Sequence, residues 1–121
     1  MTMTTLLALA GLMGAGGVVL AAAGAHAAPG AGLDSAAYML LFHAAVLGGA
    51  ALMQQGVLPK PWTVIVLAGW VLGAALFSGD VALRVFAGHR LFPLAAPAGG
   101  IILIGAWLAL AIAAVAAIAR G

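Results

Sequence analysis

Apolar residues run through this chain in long blocks, and polar residues gather in the short stretches between them. Four blocks stand out: Thr4–Ala27, Ser35–Val57, Trp62–Ala87 and Leu94–Ile118. A helix needs about 20 apolar residues to cross the hydrocarbon of a bilayer, and each block slightly exceeds that, which permits tilt. The connections Ala28–Asp34, Leu58–Pro61 and Gly88–Pro93 are short, so consecutive helices must be antiparallel neighbours. The pattern predicts an all-α, integral membrane four-helix bundle, up-down-up-down, forming one domain over residues 1–121.

Stop and start signals sit where this pattern needs them. Pro29, Gly30 and Gly32 end the first span, and Asp34 is placed to cap the second through its carboxylate. Pro59-Lys60-Pro61 makes a stiff turn, with Pro61 tolerated at the first helical position. Trp62 beside Lys60 reads as an interfacial anchor. Gly88 breaks the third span, while Pro93 and Pro97 bracket the entry to the fourth. Ala25-His26-Ala27 has the look of a signal-peptidase site. The lack of Lys or Arg ahead of it, and the length of the run, favour a retained span.

Composition agrees with a lipid solvent. Of 121 residues, 67% are hydrophobic and 5% charged, and mean hydropathy is +1.31. These polar side chains cannot cover a soluble domain of this size. The high isoelectric point rests on four cations and two anions, with no basic patch for nucleic acid. Cysteine is absent, which removes disulfides, thiolate metal sites and cysteine nucleophiles. Counting Lys and Arg, Lys60 and Arg120 fall on the side of the termini and Arg84 and Arg90 on the other. If Asp80 holds Arg84, the balance tips toward cytoplasmic termini in a bacterial inner (plasma) membrane.

Small residues recur every four positions, the spacing that lets helices in lipid approach closely. Gly17, Ala21 and Ala25 line one face of the first span, Ala44 and Gly48 the second, Gly69 and Gly73 the third. Gly105, Ala109, Ala113 and Ala117 continue the series in the fourth. Such faces serve packing within the chain, a homo-oligomer, or docking onto a larger membrane complex.

The few ionisable groups gather in one leaflet. At about 1.5 Å per residue, His43 lies roughly 12 Å inside the second span, and Asp80 comes to a similar depth in the third. His26, Tyr38, Ser78 and Arg84 fall in the same half, and the opposite half has Gln54 and Gln55 near its boundary. Asp80 and Arg84 are four apart, share a helix face and can pair. Charges so placed are costly unless they meet protein or water, which marks a polar pocket of His26, Tyr38, His43, Ser78, Asp80 and Arg84. Each member also has a structural reading: His26 at an interface, His43 bonded to a neighbouring helix, Asp80–Arg84 a plain ion pair. A zinc site from His26, His43 and Asp80 lacks paired-histidine spacing, and the two histidines differ in depth for haem. Gly14-Ala15-Gly16-Gly17 follows no strand and is no nucleotide loop. No cofactor, no metal and no enzymatic activity are expected.

Four short motifs occur in order along the chain: Gly24-Ala25-His26, Phe42-His43-Ala44, Leu76-Phe77-Ser78-Gly79 and Ala96-Pro97-Ala98-Gly99-Gly100. Together they resemble the bacterial and eukaryotic "domain of unknown function 423" group of small four-span membrane proteins. The resemblance implies the four-span bundle and no established activity. It also implies Ser in many relatives where this chain has Asp80, so Asp80–Arg84 belongs to a subset. Two functions fit these expectations. The first is a non-enzymatic membrane protein whose polar pocket binds or passes a small solute or proton. The second is an accessory subunit docking through its small-residue faces.

Overall fold

The computed structural model describes residues 2–52, 56 and 58–121. Four helices follow one another: α1 (Met3–His26), α2 (Leu33–Leu52), α3 (Lys60–Ala87) and α4 (Ala95–Arg120). All four are long and apolar enough to cross a membrane, and no strand occurs among the described residues. The expected all-α membrane bundle is the one observed. Gln54, Gln55 and the expected end of the second span at Val57 lie outside the described residues.

The helix ends follow local chemistry. Thr2 caps α1 by accepting from the Thr5 N–H at 3.1 Å. Gly88 closes α3 in the left-handed region at φ 77°, where a residue without Cβ meets no steric penalty. Two expected starts are shifted. α2 begins at Leu33, so Asp34 sits inside the first turn, where its charge suits the helix dipole, and not at the cap. α3 begins at Lys60, which makes Pro61 the second helical residue; its missing N–H would have no intrahelical partner there either.

Packing runs in sequence order. α1 lies along α2, α3 lies along α4, and α2 joins the two hairpins through α3. One buried cluster (Leu6, Met13, Leu47, Trp70, Leu103) draws on all four helices. A second (Leu20, Leu33, Ala37, Val81, Ala96) fills the end of the bundle near the α1–α2 and α3–α4 loops. Outside these, Leu12, Val18 and Val19 on α1 and Ile101, Ile104, Leu108, Ile112, Val115 and Ile118 on α4 are exposed. An outer surface this apolar is a lipid-facing one.

Close approach depends on missing side chains. A Cβ on Gly17 would fall 2.6 Å from Leu41 Cγ, and one on Gly69 2.8 Å from Ala106 Cβ. Gly73 and Gly99 face each other so tightly that a Cβ on Gly99 would lie 2.7 Å from the Gly73 carbonyl and 2.6 Å from the Phe77 nitrogen. Ala44 and Ala113 are buried, Ala21 and Ala109 pack against the two clusters, and Gly48 sits opposite Ala10. Two members of the expected small-residue faces are turned away. Ala25 is exposed, and a Cβ on Gly105 would meet nothing within 4 Å. The four-residue spacing drifts around a helix of 3.6 residues per turn, so a stripe that starts in an interface can leave it.

Candidate functional site

The polar residues are brought to one half of the bundle, but they are not gathered into one chamber. Each buried one is engaged by a different partner. His43, 3% exposed, lies in α2 and is touched by α4: Trp107 Nε1 donates to His43 Nε2 at 3.2 Å. An indole can only donate, so Nε2 accepts and the ring proton sits on Nδ1, which donates to the Met39 carbonyl at 2.8 Å. Both ring nitrogens are satisfied. Ser78 bridges α3 to α2 by donating to the Ala36 carbonyl at 2.8 Å.

Asp80 is fully buried, and its environment is richer than an ion pair. Oδ1 accepts the backbone N–H of Leu91 at 2.9 Å, tying α3 to the loop that leads into α4. Oδ2 lies 3.5 Å from Arg84 Nε, one helical turn on. That second contact is a charge contact without hydrogen-bond geometry, since Oδ2 has no hydrogen-bond partner. Arg84 is 40% exposed, so the pair has a buried anion and a partly exposed cation. His26 is exposed in the last turn of α1, and Tyr38 is 65% exposed on the outer face of α2. Neither joins Asp80 and Arg84.

Two grooves open beside these residues. One, of about 580 Å³, lies between the start of α2 and the end of α3, lined by Ala31, Gly32, Ser35, Phe77, Val81, Arg84 and Val85. Its walls mix polar and apolar surface. The other, of about 610 Å³, lies between α2 and α4 and is almost wholly apolar, with Tyr38, Phe42, Leu103 and Leu108 around the His43–Trp107 bond. Among the described residues no group of three or more His, Asp or Glu side chains could hold a metal ion.

Trp107 and Leu91 are the residues that inspection of the sequence missed. Trp107 was detectable: it lies twelve residues from the start of α4, and His43 ten from the start of α2, both counted from the same side. An indole N–H in hydrocarbon needs an acceptor, and His43 was the acceptor at that depth. Leu91 carries no sequence mark, because the group Asp80 holds is its backbone.

Four helices, each long and apolar enough to cross a membrane, with His43, Ser78 and Asp80 buried among them, define a small four-span membrane protein. Residues 20–100 match the sequence profile described as "Protein of unknown function (DUF423)", and the chain belongs to that family. Neither the curated proteins nor the solved structures provide a match.

Proposed function

We infer that this is a non-enzymatic membrane protein that binds a small solute in the α2/α3 groove, without conducting it across the bilayer. The observation that carries this reading is Arg84, a cation lining a mixed polar and apolar groove and positioned from beneath by a buried carboxylate. A charge kept at the edge of a membrane span marks a site. Binding is favoured over passage because His43, Ser78 and Asp80 are each bonded to separate partners and form no polar file between them. The protein sits in a bacterial inner membrane with its termini in the cytoplasm. Mass spectrometry of small molecules released from the purified protein tests the reading, with Ser35→Trp filling the groove. The parent should carry a ligand that Ser35→Trp has lost; identical small-molecule content in both would sink the idea.

A second reading, an accessory subunit of a larger complex, is favoured by the apolar α2/α4 groove and by the outward-facing Gly105. A stoichiometric larger partner retained in mild detergent would support it, and a lone monomer or homo-oligomer would support the binding protein.

A further inference from the structure

With the α2/α3 groove taken as the binding site inferred above, its walls select a narrower class of ligand. Arg84 Nε lies 3.5 Å from Asp80 Oδ2 without bonding it, and among the described residues the guanidinium makes no side-chain hydrogen bond that would occupy its two terminal nitrogens. Those nitrogens form a planar fork suited to the oxygens of an oxyanion. Asp80 cannot follow a ligand outward, because it is fully buried and bonded to Leu91. It acts as a fixed counter-charge that holds the guanidinium at the groove.

The rest of the groove agrees. Gly32 and Ser35 form one wall at the first turn of α2, a 20-residue helix whose leading N–H groups have no partner within the helix. The competing anion there is turned away: Asp34 Oδ1 lies toward Gly24 of α1, 3.2 Å from where a Cβ on that glycine would stand, and Asp34 does not line the groove. Phe77, Val81 and Val85 supply apolar surface beside the cation. Arg84 is three residues from the end of α3, about 4.5 Å along the axis, which is the level at which a span leaves the hydrocarbon.

We propose that the α2/α3 groove binds a phosphate group, held by the Arg84 fork together with the first turn of α2. The phosphate belongs to a lipid headgroup or to a soluble phosphorylated solute; the chemistry is shared, and the experiment separates the sources. The protein in maltoside micelles is titrated with dioleoyl phosphatidylglycerol, with phosphate-free dioleoylglycerol, and with inorganic phosphate as competitor, and adducts are read by native mass spectrometry. Phosphatidylglycerol should give one saturable adduct that dioleoylglycerol does not displace. Arg84→Lys keeps a charge for Asp80 but removes the fork, and should weaken binding about tenfold. Arg90→Gln, on a cation outside the groove, should leave binding unchanged. Displacement by inorganic phosphate assigns the site to a soluble phosphorylated solute, and resistance to it assigns a lipid headgroup. Equal binding of dioleoylglycerol and phosphatidylglycerol, or unaltered affinity in Arg84→Lys, overturns the phosphate site. Ser35→Trp separates the two failures. Loss of every adduct in that variant, with no phosphate preference in the parent, keeps the groove and removes its phosphate; no effect on any adduct removes the groove as a site.

Discussion

Asp80 does two jobs with one carboxylate, and they can be separated by substitution. Oδ2 faces the Arg84 charge, while Oδ1 accepts from a backbone N–H that has no other partner. Asn at this position keeps an oxygen for Leu91 and loses the charge; Ala loses both. Leu91 is half exposed, so water can reach its N–H once the carboxylate is gone, and the loss is that of a net hydrogen bond, about 0.5–1.5 kcal/mol. Asp80→Ala should therefore be less stable in detergent than Asp80→Asn by an amount of that order, and unfold at a lower temperature. Equal midpoints for the two variants would show that the loop bond contributes nothing. The i, i+4 pairing with Arg84 was legible from spacing alone, whereas the loop bond was not, because eleven residues and a change of direction separate its partners. The same holds for Ser78, whose acceptor is a carbonyl forty-two residues away.

The α3–α4 hairpin depends on glycine at positions that differ in what surrounds them. In lipid, helices gain little from excluding water and hold together by close packing and by interhelical bonds. Gly99 is the tightest point of this hairpin, and the two nearest atoms a Cβ would meet are backbone atoms of α3, which no rotamer change can move. Gly105 lies on the same helix and faces open space. Overpacking of this kind costs about 1–3 kcal/mol or more, so Gly99→Ala should lower the unfolding midpoint while Gly105→Ala leaves it unchanged or raises it. A Gly99→Ala protein as stable as the parent would mean that the hairpin can open without loss. Gly69 and Gly73 were recognisable as a GxxxG pair, and the structure gives both of them contacts with α4. Gly99 lay in the Pro-x-Gly-Gly entry to α4 and carried no mark as a packing residue. Which of two adjacent glycines faces the partner is a matter of helix rotation, and the open position of Gly100 shows how much one step changes.

Across the bundle as a whole, charge is distributed unevenly once partners are known. On the side of the α1–α2 and α3–α4 loops, Arg84 is matched by Asp80, Asp34 stands in the first turn of α2, and Arg90 is left to count against the two cations of the other side. On the side of the termini, Lys60 and Arg120 have no acidic residue near them in sequence. Lys and Arg outside ion pairs tend to stay on the cytoplasmic side of a membrane, so the expected outcome is that the termini face inward. Thr2 and Ala31 are both exposed and lie at opposite ends of α1. In intact cells an impermeant thiol reagent should label Ala31→Cys and spare Thr2→Cys. The reverse pattern would invert the topology.

Apolar block length and short connections were enough to specify four antiparallel spans, because a continuous apolar run of over 20 residues fits the span of a helix and not the short alternating strand of a barrel, and a short turn leaves consecutive helices no alternative to adjacency. Depth was readable for the same reason: a constant rise per residue places His43, Ser78, Asp80 and Trp107 along the membrane normal. Rotation was not readable. Hydrophobicity marks which face of a soluble helix points inward, but here all faces are apolar, so the sequence does not show that Tyr38 and Gly105 turn outward while Asp80 turns in. Only packing decided that, through contacts such as Gly73 against Gly99 that fix the angle at which each side chain leaves its helix. For that reason residues that shared a depth did not share a chamber, and the groove beside Arg84 appeared only when α2 and α3 were set side by side.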